Sequence, residues 1–203
     1  MKFEADNIYH IFNRSNEPVF KSRTNYLFFK ERLRAYVHPC CNILAWCLVP
    51  NHFHLLVQVK PEGLSLRVNK KGKLQQQLEV NLRLMTSSYT RAYNKENRQT
   101  GRYFSQPTKA KILNHERIAS LDDFANVDYI TTCFLYIHQI PVIHNLVSHP
   151  SKWEMSSFNS YIHGTDDGLV DKDIAFQYIS LEPEAVDVQS TSYLDESILD
   201  NLY

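Results

Sequence analysis

Hydrophobic and polar positions alternate through "NIYHIFNRS", Asn7 to Ser15, well enough for a strand with Ile8, His10 and Phe12 on one face. In "RTNYLFFKERLRAYVH" the spacing of Tyr26, Phe29, Leu33 and Tyr36 is helical. "NILAWCLVP" is a short apolar run that predicts a second strand; Pro50 and Asn51 break it, and "HFHLLVQV" resumes as a third. A long helical pattern runs through "KLQQQLEVNLRLMTSSYTRAYNK", with Leu74, Leu78, Leu82 and Met85 in one stripe. The connector "NRQTGRYFSQPTKAKIL" leads to a further strand. The next helix is expected to start around Ser120, with Asp122 and Asp123 in its first turn, and to end or kink at Pro141. A shorter segment, "VIHNLVSHPSKWEMSSFNSY", follows.

Strands alternating with helices, and only five glycines, predict a compact α+β sandwich. There is no G-x-G-x-x-G and no phosphate-binding loop, so nucleotide-cofactor folds find no support. The 203 residues suit one domain, or one domain with an appendage. No apolar run approaches the roughly 18 residues of a membrane span, so no membrane partner is expected. The N-terminal "MKFEADNIYHIF" places Glu4 and Asp6 before any apolar segment, unlike a secretory signal. Cys40, Cys41, Cys47 and Cys133 show no C-x-x-C spacing and are expected to be reduced and structural, in a cytoplasmic protein.

The zero net charge hides a division. From Gly164 to Tyr203 ten carboxylates face one lysine, a balance of −9, so the first 163 residues carry +9. Residues 1–163 are therefore expected to form the main domain and 164–203 an acidic extension, either a small accessory helix or partly disordered. A basic body suits a polyanionic partner.

Strand geometry puts His52 and His54 on one face, while Phe53, Leu55 and Val57 take the other and pack on helices. The two imidazoles would then project together from the opposite face, close enough to share a cation. The alternative is a pair of half-exposed histidines with no metal. A third histidine on that face, as in H-x-H-x-H nucleotidyl-transfer sites, is absent because the position is Leu56.

"YHIFNR", "WCLVPNHFHLLVQV", "LMTSSYTRAYNK", "GRYFSQPTKAK" and "YIHQIPVIHNLVSHPSKWEMSSFNSY" occur in the order of one family. Between about Ala5 and Gly164 the chain resembles the IS200-like, REP-associated tyrosine transposases, members of the His-hydrophobic-His (HUH) single-strand nucleases. The resemblance implies a ferredoxin-like sandwich, a central antiparallel sheet with helices packed on one face. It implies that His52 and His54 hold Mg²⁺ or Mn²⁺. It also implies that Tyr136, which opens the "Y-I-x-x-x-P" segment, attacks a phosphate in single-stranded or hairpin DNA to leave a 5′-phosphotyrosine and a free 3′-OH. Read without the resemblance, Tyr136 ranks no higher than Tyr129.

In that family a polar amide four residues after the nucleophile completes the metal site. Here the position is Ile140, and Gln139 beside it is the nearest amide, with His138 and the more distant His144 as other candidates. Metal binding is thus either unusual here or lost, leaving a domesticated hairpin-DNA-binding protein as the alternative to an active transposase. A third class, an unrelated metal hydrolase, treats the five motifs as coincidence. Arg14, Arg91, Lys95, Arg102, Lys109 and Lys111 are expected to line a DNA path with Tyr93 and Asn94, where Tyr103 and Phe104 offer stacking surfaces. Trp153, Ser156 and Ser157 read as packing and turn residues. The protein is expected to act as a monomer or homodimer.

Overall fold

The computed structural model describes residues 2–113, 128–165 and 168–192. The first strand is β1, Ile8–Arg14, and the first helix α1, Arg23–Tyr36. A capping box starts α1: the Ser22 side chain accepts from the Asn25 N–H, and the Asn25 side chain accepts from the Ser22 N–H. The strands β2, Cys41–Val49, and β3, His52–Val59, pair antiparallel across Pro50 and Asn51. The carbonyls of those two residues accept from the N–H groups of Ser15, Val19 and Phe20, which fixes the chain leaving β1.

A small hairpin follows, β4, Leu66–Val68, with β5, Leu74–Gln76. Leu74 was expected to open the apolar stripe of the next helix, but it is a strand residue and 57% exposed. The cause is local: the Asn69 side chain accepts from the N–H groups of Lys71 and Lys73, and Gly72 takes a positive φ of 75°. Together they close a turn that keeps Leu74 in strand pairing. The helix α2 therefore runs Gln77–Asn97, burying Leu78, Leu82, Met85, Tyr89 and Tyr93. The strand β6, Lys109–Ile112, completes a four-stranded sheet of order β2-β3-β1-β6 with every pairing antiparallel. This β-α-β-β-α-β order is the ferredoxin-like arrangement. Tyr9, Ile11, Phe53, Leu55 and Val57 share one core with α1 and α2 on one face of the sheet.

The other face of the sheet is covered as well. The helix α3, Tyr129–Ile143, lies against β2 and β3, and its Phe134, Ile137 and Ile140 share a core with Leu44, Ala45, Cys47 and Leu56. A register shift between Ile43 and Ala45 lets both Leu44 and Ala45 join this second core. Of the 15 residues of α3, 11 are buried, because sheet and C-terminal elements enclose it. Asp128 caps the helix through the N–H groups of Ile130 and Thr131. The start expected around Ser120 lies outside the described residues. The helix also continues through Pro141, beyond the expected end, to Ile143.

Past a 3₁₀ turn at Pro150–Lys152 come α4, Phe158–Ile162, and α5, Lys172–Tyr178. A second 3₁₀ turn, Pro183–Ala185, leads to α6, Val186–Gln189. Ala175, Ile179 and Val186 are buried in the core that holds α3. The Ser180 hydroxyl donates to Asp128 at 2.6 Å and its N–H donates to the Thr131 hydroxyl at 2.7 Å, so this segment fastens the start of α3. Val170 bridges Ile43 of β2 in parallel, and the Asp171 N–H donates to the Ile43 carbonyl at 2.9 Å. Farther along β2, the Leu48 N–H donates to the Met155 carbonyl and Cys47 bridges Ser156. Trp153 donates its indole N–H to the Leu48 carbonyl, and Ser157 exchanges hydrogen bonds with the Trp46 backbone, which are packing and turn roles. All four cysteines are free and buried. Among the described residues no helix is long and apolar enough to cross a membrane.

His138 is fully buried on α3, with Nε2 2.8 Å from the Ser157 hydroxyl and the rings of Phe134, Phe158 and Tyr161 around it. Its Nδ1 has no partner among the described residues, so a second ring proton would be a buried, unpaired donor. Burial holds its pKa down at about 3. An unfolded histidine titrates near about 6.5, so the unfolded chain takes up the proton first as pH falls. The contribution to stability is complete above that value and is lost between it and the folded pKa, by up to about 1.4 kcal/mol per pH unit. Urea unfolding of a His138→Gln variant should therefore show a pH slope between 6 and 5 that is shallower than the parent's by about one proton. Equal slopes would show that His138 is not kept neutral by the fold.

Candidate functional site

The register of β1 on β3 sets Phe12 opposite His54, Arg14 opposite His52 and His10 opposite Leu56. Alternation then turns His10, Phe12, His52 and His54 to the α3 side of the sheet. His10 sits diagonally across from His54, and its Nε2 lies 2.8 Å from His54 Nδ1. The His54 ring also stacks on Phe12, with centroids 5.7 Å apart. His52 Nδ1 is 2.7 Å from the Asn51 side-chain oxygen. An amide oxygen only accepts, so His52 carries its proton on Nδ1 and presents Nε2 as a lone pair. The expected face-sharing of His52 and His54 is present, but the open face is not: His52 is 8% exposed and His54 2%.

Beside the histidines opens a cleft of about 370 Å³, lined chiefly by Arg14, His52, His54, Ser105, Lys109 and His144. Among the described residues no carboxylate lines it. Burial, then the nearby His144 and Arg14, push the His52 pKa down to about 4. Burial first, and then His10, His52 and His144, hold His54 well below the usual imidazole range. His144 is lowered by burial and by Arg14. All three imidazoles are therefore neutral near pH 7. The fixed positive charges come from Arg14 and from Lys109, whose ammonium sits 5.4 Å from the centre of the Phe12 ring. Such a cleft attracts an anion.

Whether it also suits a cation depends on the donor set. His52 and His144 have ring centroids 4.9 Å apart, and His52 and His54 5.2 Å. Among the described residues, however, no three His, Cys, Asp or Glu side chains are grouped to hold a metal ion. Gln139, the expected third ligand, does not line the cleft, and its side-chain N–H₂ donates to the Ser192 carbonyl at 2.8 Å. Ile140 is fully buried in the second core. The two neutral imidazoles could supply only part of a coordination shell, and the described residues group no third such ligand with them. That composition favours Mn²⁺ over Mg²⁺, which prefers an oxygen shell.

Tyr136 reaches the histidines from α3, its ring edge-on to His54 with centroids 5.8 Å apart. It is only 6% exposed and does not line the cleft. Tyr129, seven residues earlier, lies half-buried at the start of α3. The residues expected to bind DNA divide into groups. Arg14 and Lys109 are at the cleft, and Lys111 follows on β6 opposite His10. Arg91, Asn94, Arg102, Tyr103 and Phe104 line a separate groove along α2, with Lys95 exposed near the end of that helix. Tyr93, expected on the DNA path, and Phe104, expected to stack on bases, are core side chains packed with Tyr89 and Phe20. The connector folds back onto α2 and buries them. His10 escaped the sequence reading as a site residue. Its signal was the alternation that grouped it with Phe12, but only strand pairing reveals that it meets His54.

No protein-family model matches the chain, and no curated protein does. Among solved structures, it resembles a REP-associated tyrosine transposase bound to a REP hairpin, at 16% identity and a TM-score of 0.57, over 85% of this chain and 87% of that one. That likeness establishes a shared fold.

Proposed function

We propose that this protein cuts and rejoins single-stranded or hairpin DNA through a covalent bond to Tyr136. The observation that carries the reading is the cleft itself. Neutral His52 and His54 stand beside Arg14 and Lys109, no carboxylate among the described residues intervenes, and a tyrosine ring packs against His54. A phosphodiester is drawn to the cationic rim, and hairpin DNA is the ligand of the structural neighbour with the same fold. His52 and His54 would hold Mg²⁺ or Mn²⁺, and the bound ion would neutralise charge on the phosphate. Arg14 and Lys109 bind and orient the phosphodiester.

In the covalent step the Tyr136 oxygen forms a bond to phosphorus as the bond to the 3′-oxygen breaks. The phenol loses its proton and the departing 3′-oxygen gains one. Because a phosphodiester is exchanged for a phosphodiester, a 3′-OH attacking the phosphotyrosine reseals the strand without hydrolysis. A second reading, a hairpin-DNA-binding protein that does not cut, is favoured by two observations. Tyr136 is almost fully buried, and Gln139 is tied to Ser192 rather than turned to the histidines.

A labelled hairpin oligonucleotide with a single-stranded flank, incubated with Mn²⁺, separates the two. The cutting reading expects a covalent adduct that Tyr136→Phe abolishes while binding stays within a few-fold, since affinity rests on phosphate contacts. An undiminished adduct in that variant would move the nucleophile elsewhere, with Tyr129 the next residue to change. Binding with no adduct in any divalent metal would establish the non-cutting protein.

The histidines should differ in what their loss does. His54→Ala leaves the buried His10 without its imidazole partner and should cost about 1–3 kcal/mol in denaturant unfolding. His52→Ala lies at the edge of the cleft and should cost about 1 kcal/mol or less. Both should lose Mn²⁺-dependent cleavage, and the parent should work better in Mn²⁺ than in Mg²⁺. Equal rates in the two metals would contradict an imidazole-led cation site.

A further inference from the structure

A second cleft, of about 400 Å³, runs along the outer face of α2 and is separate from the histidines. Arg83 and Arg91 lie eight residues apart on that helix, about 12 Å along its axis. Arg102 faces them from the connector. All three are exposed, and among the described residues no Asp or Glu lines the cleft and none of the three guanidiniums pairs with a carboxylate.

Four of the other polar side chains of this groove are already engaged by the protein. The Thr86 hydroxyl donates to the Leu82 carbonyl and the Ser87 hydroxyl to the Leu84 carbonyl. Asn94 donates to the Gly101 carbonyl, which pins the connector to the helix, and its side-chain oxygen is buried. The Tyr103 hydroxyl donates to Gln99, and Phe104 lies in the core beneath. What remains to meet a ligand is chiefly cationic, the three guanidiniums, with the Thr90 hydroxyl and the exposed Gln106 amide beside them. Three guanidiniums with no carboxylate among the described lining residues make it chiefly a site for phosphates.

The two clefts share a wall. Arg102, Tyr103, Phe104 and Gln106 line the α2 groove, while Ser105 between them lines the histidine cleft. This strap is held to β1 by the Ser105 N–H donating to the Arg14 carbonyl and by the bridge between Ser15 and Phe104. A strand crossing the strap passes from one cleft to the other. We propose that the α2 groove is a second DNA site, which grips the phosphodiester backbone adjoining the segment held at the histidines and does so without reading sequence. The inference rests on the DNA reading of the histidine cleft, and it adds Arg83 and a division of labour.

The test is fluorescence anisotropy of the full chain with labelled hairpin oligonucleotides of two different stem sequences, between about 50 and 200 mM salt. A variant carrying Arg83→Gln and Arg91→Gln should bind both sequences about tenfold or more weakly at the upper salt end. Its log–log salt slope should be shallower by about two. Lys152→Gln, which removes an exposed cation on the 3₁₀ turn at Pro150–Lys152, should leave affinity and slope unchanged. The proposal is overturned if the double variant binds like the parent, if only one stem sequence is weakened, or if Lys152→Gln is equally damaging. A parent that binds DNA with the predicted Arg83 and Arg91 dependence but never forms an adduct sinks the cutting reading and leaves the groove standing. A parent that binds no DNA removes both.

Discussion

The antiparallel ladder between β1 and β3 is the contact on which the rest of the molecule depends. It lies in the middle of the sheet and fixes which side chains face which core. Because strand side chains alternate, a slip of one residue would send His52 and His54 beneath α1 and α2 and drive Phe53 and Leu55 against α3. Phe53 is locked in the first core by Phe29 and Phe104, so the aromatic packing on one face holds the histidines in register on the other. The site inherits its geometry from a core it never touches.

Covering the second face with α3 has an electrostatic result. Imidazoles enclosed by apolar side chains stay neutral, because a buried charge without a partner is costly. The positive charge of the region is therefore carried by Arg14 and Lys109 at the margin, where water still reaches them. Base and cation are thus kept apart by burial rather than by distance. The same enclosure leaves the Tyr136 ring against His54 with little solvent contact.

Much of this was legible in the sequence, for physical reasons that differ by element. β1 shows alternation, β2 shows as a continuous apolar run because both its faces meet a core, and α1 shows a stripe because one of its faces meets the first core. Residues 74–76 misled because Leu74 continues a helical spacing by coincidence, while the turn chemistry of Asn69 and Gly72 decides its fate. The packing of α3 on the opposite face was not legible as such: a helix enclosed on all sides has no amphipathic stripe to say what it covers. At the site, His52 and His54 were found by alternation alone. His10 was not, because contact across strands depends on pairing that no local pattern encodes. Gln139 does not line the cleft, and its amide N–H₂ donates to the carbonyl of Ser192, a partner 53 residues away that no local pattern encodes.

The segment after α4 adds more than a cover for α3. An outermost strand displays unpaired backbone groups on which a second chain can build another strand. β2 is such a strand, and Val170, Asp171 and Met155 occupy backbone positions along it. The opposite border, β6, instead carries Lys109 and Lys111, whose like charges oppose the approach of an identical strand. The acidic C-terminal region thus contributes to keeping copies of the protein apart. A chain shortened before Val170 would leave that part of β2 bare and invite self-association by strand addition, a liability that belongs to solubility rather than to catalysis.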